Sequence, residues 1–341
     1  MYSFPTGEMS LKSWLVYWLK MMILPVVKPS TYESYRLICE KHIIPKLGDV
    51  ALNNLSGSMI QRFLNEESAC GNSATGGPLS SKTVRNIRVV LDVAMKQALA
   101  EGLIATNPIP LTAIRAVKSK RVEVMTDESQ EELEKYLFET NNIYHGPIIM
   151  DLYTGMRRGE ICALRWRDYD EKTNMLTVTQ TVRRLTNFDA KPGEPKTKLV
   201  FNDVKTDESS RSLLMPPVLK ELIREQKLRF AREFRVPRED DFIFFSKAGG
   251  IIDPDNLQHY FAKLLKKLGL SHVKFHAIRH TFATRAIEMG IDVSTVSGIL
   301  GHANVTTTTR FYVHPRDKAM RNAMSTIAPI YSSEKRKEKM A

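Results

Sequence analysis

The segment from Lys274 to Tyr312, KFHAIRHTFATRAIEMG followed by IDVSTVSGILGHANVTTTTRFY, constrains this chain more than any other. His276 and Arg279 stand at i and i+3, so a helix from His276 to Met289 sends both side chains out from one face. Phe275, Ile278, Phe282 and Met289 then make a second face that can be buried. Gly290 is the expected helix stop. Asp292 is the expected cap of a following helix, in which Val293, Val296 and Leu300 recur at helical spacing, and Gly301 ends it. His302 comes next, where an imidazole can project from a helix end into a cleft. Thr306 can cap a last short helix carrying Phe311 and Tyr312. Two imidazoles, a guanidinium and a phenol in so short a stretch suit attack on a phosphodiester. The attacked phosphorus is shielded by negative oxygens, and its transition state gathers still more negative charge, so positioned cations are the main need.

The order H-x-x-R-H-T, then L-G-H, then a tyrosine about ten residues on resembles the tyrosine recombinase (phage integrase) family. That family's site holds two arginines, a lysine, two histidines and a tyrosine. The resemblance therefore implies that His276, Arg279, His302 and Tyr312 are four of the six. Upstream, Ile148–Trp166 reads IIMDLYTGMRRGEICALRW and resembles the family's first arginine motif, in which the arginine directly follows T-G-[LM]. This identifies Arg157. Its neighbour Arg158 is a phosphate contact or a solvated charge, and Glu160 is either a cap that orients Arg157 or an ordinary acid in a first helical turn. The family's lysine sits on a β-hairpin shortly before an S-x-R-like strand, and VKTDESSRSLLMPP fits with Lys205 as the lysine and Arg211 opening the strand. The common form of that run is the tighter K-T-x-S-S-R, and PKTK at Pro195–Lys198 also resembles its start, so Lys196 and Lys198 are rivals.

The rest of the chain is read for organisation. Its 341 residues exceed a typical domain of about 100–200, and 43% hydrophobic content allows real cores. Lys and Arg number 50 against 38 Asp and Glu, a formal charge of +12 that favours a polyanionic partner. Cys39, Cys70 and Cys162 lack any ligand spacing, which points to a reduced compartment and no structural zinc. The most apolar early run, Met21–Val27, contains Pro25 and is far short of the ~20 residues that span a bilayer. The expectation is a cytoplasmic chain without a membrane partner. Helical spacing of Leu11, Trp14, Leu15, Trp18 and Met22 opens the chain. A capping-box pattern at Ser30 and Glu33 starts a second helix, with Tyr32, Tyr35 and Ile38 on its packing face. Ser58–Glu67 and Ser81–Ala100 complete four helices. Asp127 and Glu128 then begin a helix running to about Thr140, Met175–Val182 alternates as a half-buried strand, Leu219–Phe234 is an exposed, charged helix and Asn256–Leu268 is another helix.

The fold expected is α+β and mainly α. A helical DNA-binding domain spans residues 8–108, a basic linker 109–124, a mixed catalytic domain with a small antiparallel sheet 125–316 and a tail 317–341. By the resemblance, the two domains clamp DNA. Arg115, Lys118, Lys120 and Arg121 of the linker are candidate phosphate contacts, with Arg158. The tail's Met320, Met324 and Ile327 form an apolar stripe that packs on its own domain or on a neighbouring subunit. Only about nine residues precede the first helix, whereas many such integrases carry a further N-terminal domain for arm-type sites, so the sequence reads as either a shortened chain or a simpler recombinase.

The resemblance implies a site-specific recombinase that cleaves and rejoins double-stranded DNA through a 3'-phosphotyrosine and works as a tetramer on two sites. It needs no metal or nucleotide cofactor, and accessory DNA-bending or directionality factors are compatible with it. The same residues would serve a type IB topoisomerase that relaxes supercoils as a monomer, and a binder that has lost catalysis is a third class. Strand exchange separates the first two readings, and a covalent DNA adduct excludes the third.

Overall fold

The computed structural model describes residues 9–114, 123–188, 190–203 and 210–302. The chain divides into two compact units, Met1–Lys120 and Arg121–Ala341. The first unit is helical: α1 (Leu11–Trp18), α2 (Pro29–Ile38), α3 (Ile44–Leu47), α4 (Gly57–Cys70) and α5 (Ser81–Ala100). Wider π turns, Leu19–Ile23 and Cys39–Ile43, prolong α1 and α2. Ser10, Ser56 and Ser80 cap α1, α4 and α5, each accepting from the backbone N–H three residues on. Leu11, Trp14, Leu15 and Trp18 are buried, and the Trp14 indole donates to Ala94 O at 3.1 Å, tying α1 to α5. Tyr32 is buried and Tyr35 stacks on Trp18 at 5.9 Å, so these aromatics fill the core. The capping box expected at Ser30 and Glu33 does not form. Pro29 already occupies the first turn, where its fixed φ and missing N–H suit a helix start, so the helix begins one residue earlier and no side chain caps it.

The second unit holds α6 (Asp127–Glu139), α7 (His145–Thr154), α8 (Arg158–Ala163), β1 (Tyr169–Asp170), β2 (Met175–Val178), β3 (Gln180–Thr186), β4 (Thr197–Asp203), β5 (Arg211–Leu214), α9 (Pro217–Glu233), α10 (Pro254–Lys267), α11 (His276–Glu288) and α12 (Val293–Leu300). The single strand expected over Met175–Val182 is two. β2 lies between β1 and β5 in a three-stranded antiparallel sheet, and after Thr179 the chain changes partner, so β3 pairs with β4 in a separate hairpin. Leu176, Val178 and Val182 are buried as the alternation requires. α9 was expected to be an exposed, charged helix, but its Leu219, Leu222, Ile223 and Phe230 are buried.

The core of this unit runs from α6 through α7, α8 and α10 to the start of α11, and α11 packs along α7. The expected apolar face of α11 is corrected at one end: Phe275 and Ile278 are buried, but Met289 is 80% exposed. Met289 sits at the helix end beside Gly290, which turns the chain away at φ +89°. The small residues Ala277, Thr281, Ala283 and Ala286 supply the buried surface instead. Among the described residues no helix is long and apolar enough to cross a membrane.

Candidate active site

The site is built where α7 ends, α8 begins and α12 terminates. Gly155 closes α7 in the left-handed region, φ +60°, and a side chain there would collide with Phe282 and Leu300. The chain reverses into Arg157, the N-cap of α8. Glu160, three residues on, accepts from the Arg157 backbone N–H at 3.0 Å and from its guanidinium at 2.7 Å. Both sequence readings of Glu160 therefore hold at once: it is an acid in a first helical turn, and it orients Arg157. Its carboxylate is 2% exposed and accepts a third bond, from Arg211 at 2.9 Å.

The C-terminus of α12 organises the arginines. Its final carbonyls have no partner within the helix. Gly301 adopts φ +63°, its N–H bonds back to Gly298 O, and the His302 N–H bonds to Ser297 O, a Schellman closure. That leaves Ile299, Leu300 and Gly301. Arg211 donates to Ile299 O at 2.6 Å, Arg279 to Leu300 O at 2.8 Å and Arg157 to Gly301 O at 3.1 Å. Arg279 also donates to Gly155 O at 2.7 Å. Three guanidinium groups thus converge on consecutive carbonyls, where the negative end of the helix dipole favours them. Arg279 is 1% exposed, whereas the Arg157 side chain is 40% exposed and faces solvent.

The charge does not cancel: Arg157, Arg211 and Arg279 face the single carboxylate of Glu160. Asp151 lies beneath them on α7, fully buried, and burial pushes its carboxyl well above the usual range despite the nearby Arg279. The histidines respond to the surplus. Burial, then the charges of Arg279 and Arg157, pull His276 down to about 4 and His302 to about 4. His280 packs edge-on against His276 at 4.6 Å and is lowered to about 4 as well, by burial and then by His276. Burial brings Arg279 down to about 10, still charged at neutral pH. The pocket is a preformed receptor for an anion, with neutral imidazoles at its edge.

Arg157, His276, Arg279 and His302 are brought together. Arg158 is turned to α10, donating to Asp255 at 3.1 Å and to Gln258. Lys196 precedes β4 and Lys198 lies within it, opposite Leu185. Lys205, Tyr312, Arg115, Lys118, Lys120, Arg121 and the tail stripe lie outside the described residues. Sequence reasoning underrated Arg211, whose signal was its place after S-S, and passed over His280, whose signal was its adjacency to Arg279.

The sequence model described as the phage integrase family matches residues 118–319, more than half of the chain. The chain belongs to the phage integrase family. It is, by that membership, a tyrosine-type site-specific DNA recombinase. A second model, the phage integrase N-terminal SAM-like domain, matches residues 10–68. A tyrosine recombinase XerC-like protein of Caldanaerobacter subterraneus subsp. tengcongensis is 30% identical, over 92% of this chain and 81% of its own. The integrase of Mycobacterium phage L5 is 24% identical over 87% of this chain and 75% of its own. In fold, the chain is similar to the Tn1549 transposon integrase solved with transposon right end DNA, with TM-score 0.73 and 20% identity over 94% of this chain and all of that one. It is also similar to lambda integrase, solved as a tetramer on a Holliday junction, with TM-score 0.65 and 21% identity over 87% of this chain and 78% of that one.

Proposed function

We propose that this integrase cleaves DNA by attack of the Tyr312 phenol on a phosphorus held by Arg157 and Arg279, and that it rejoins strands by reversing the step. The convergence of arginines on the end of α12 carries this reading. Each guanidinium has five N–H donors in a rigid fork, more than the carbonyls take, and two non-bridging phosphate oxygens match that fork. Water in the pocket would be replaced by donors fixed in advance, which favours the charge that develops at pentacoordinate phosphorus.

In the forward step the Tyr312 oxygen bonds to phosphorus and the bond to the 5'-oxygen breaks. The phenol proton leaves to His276, whose imidazole is neutral and able to accept it. The departing 5'-oxygen takes a proton from Lys205. His302 donates to a non-bridging oxygen. The bond energy stays in a 3'-phosphotyrosine, so rejoining needs no external energy source.

Register supports Lys205 over its rivals. Asp203, the last residue of β4, pairs with Gln180, and Arg211 pairs with Val178. Lys205 is two residues past Asp203, within ~7 Å of chain reach. Lys198, opposite Leu185, lies further along the hairpin towards its turn. The helical unit, residues 8–108, and the basic linker 109–124 would grip the duplex through phosphates, the catalytic domain spans 125–316, and four chains would assemble on two duplexes in the cytoplasm. The tail stripe of Met320, Met324 and Ile327 is a candidate contact in that assembly. The test is covalent capture on a nicked duplex. Tyr312→Phe should bind but form no protein-DNA adduct, and an adduct of normal yield would place the nucleophile elsewhere.

A further inference from the structure

His276 is the first residue of α11, and its neighbours Phe275 and Ala277 are buried, but its own side chain stands exposed at the rim of the arginine receptor. Among the described residues its imidazole makes no hydrogen bond. The ring that it meets is His280, with centroids 4.6 Å apart and planes at 75°. The two stand at i and i+4, and side chains of an α-helix lean towards its N-terminus. The His280 ring is therefore carried back over the turn that bears His276.

His280 itself is firmly placed. It is half-buried, and the residues on either side of it, Arg279 and Thr281, are each 1% exposed and tied to other elements. Arg279 donates to Gly155 O and Leu300 O. The Thr281 hydroxyl accepts from the Met125 N–H at 2.9 Å and donates to Ala277 O at 2.8 Å. One turn on, Arg285 donates to Met125 O at 3.1 Å, so α11 is pinned along the stretch that carries His280. An exposed imidazole has several staggered rotamers open to it, whereas a general base must face one proton donor. Planar rings that meet edge to face narrow that choice, because the contact is favourable only at particular angles.

We propose that His280 is the positioning residue for the proton acceptor of the cleavage step: its ring holds the His276 imidazole in the orientation that takes the phenol proton. This role rests on the assignment of that proton to His276. It completes a chain of nucleophile, base and orienting group, in which the third member touches neither substrate nor reacting atoms. Arg157 and Arg279 are held by carbonyls and by Glu160, so loss of the His280 ring leaves the receptor for the phosphate intact.

The experiment is a double-mutant cycle on the rate constant of single-turnover cleavage, with saturating integrase on a nicked duplex bearing its own recombination site. A rate constant does not depend on the fraction of protein that folds. His276→Ala should slow cleavage on the order of 100-fold, as the loss of a general base does. His280→Ala should slow it tenfold or more, since misplacing a reacting group by ~1 Å can lose ~100-fold. The double variant His276→Ala/His280→Ala should match His276→Ala within about twofold, because nothing is left to position. His280→Phe, which keeps a planar ring, should recover most of the rate, and noncovalent DNA affinity should hold in all four variants. The role is overturned if His280→Ala cleaves normally, if its loss adds in full to that of His276→Ala, if phenylalanine recovers nothing, or if affinity falls in step with rate. If His276→Ala cleaves at the unaltered rate, His276 is not the acceptor and the role falls with that assignment, while adduct formation by Tyr312 is judged by its own variant.

Discussion

Replacing Glu160 with glutamine tests the electrostatic design of the site with almost no change of shape. The carboxylate accepts three bonds, from the backbone and guanidinium of Arg157 and from Arg211, at 2.7–3.0 Å. It is 2% exposed, and its pKa lies below the usual range although burial opposes this, because Arg211 and Arg157 outweigh the burial. In Glu160→Gln one oxygen becomes a donor aimed at another donor, and Arg157 and Arg211 lose the charge of the carboxylate to which they donate. Breaking a buried ion pair by removing one partner costs about 3–5 kcal/mol. For a domain of this size 1 kcal/mol shifts Tm by about 2–4 °C, so the catalytic unit should melt roughly 10 °C lower. Because Glu160 raises the pKa of both His276 and Arg279, its neutralisation pushes both further down. DNA affinity should hold or tighten, since the variant is more positive. Cleavage should fall on the order of 100-fold, as expected when a positioning interaction is lost. Differential scanning calorimetry, equilibrium binding and single-turnover cleavage read the three quantities. A melting point within a degree of the unaltered protein, or an affinity loss matching the loss in cleavage, would refute the account.

Two further outcomes follow from charge. His280 and His302 are brought to about 4 in the folded chain against 6.5 unfolded, chiefly by burial, so the unfolded chain takes up their protons first. Stability should be complete above about pH 6.5 and fall as pH drops towards 4, each histidine contributing up to ~1.4 kcal/mol per pH unit. Urea titrations from pH 7 to 5 should show a shallower slope for His302→Asn, and an identical slope would remove His302 from the effect. Neutralising Lys118, Lys120 and Arg121 together should reduce the slope of log K against log salt by close to three phosphate contacts' worth, and an unaltered slope would mean that the linker does not touch phosphate.

The local grammar of this chain was legible. Asp292 caps α12, Gly290 and Gly301 end α11 and α12 with positive φ, and α5 has the bounds its caps announce. Local rules also erred locally: Pro29 displaced the expected cap of α2, and the alternation at Met175–Val182 could not reveal that the chain changes partner at Thr179. Arg157, His276, Arg279 and His302 were identified by resemblance to a motif, and their convergence is a finding of the fold. The counter-ion arrangement was hidden because it spans the sequence. Arg211 and Glu160 are 51 residues apart, Arg157 and Gly301 are 144 apart, and Arg279 and Gly155 are 124 apart. Periodicity senses neighbours within one element and carries no record of such pairs.

The L-G-H motif gains a physical meaning from this arrangement. A helix end of ordinary type would leave its last carbonyls to water. Here the left-handed Gly301 tightens the end, so that Ser297 and Gly298 are satisfied by the backbone and the next three carbonyls are presented together. Glycine is required twice over, because φ is +63° and an added Cβ would stand 2.8 Å from the Arg211 guanidinium. The leucine before it is fully buried and anchors the end against α11, and the histidine after it emerges beside Arg279 and Arg157. The three residues therefore act as one device. Leu300 sets the depth of the helix end, Gly301 aims its carbonyls, and the carbonyls hold the guanidinium groups whose charge adds to burial in lowering the His302 pKa. In the reaction proposed above, an incoming diester would add negative charge beside these arginines and so raise the histidine pKa values when proton transfer is needed.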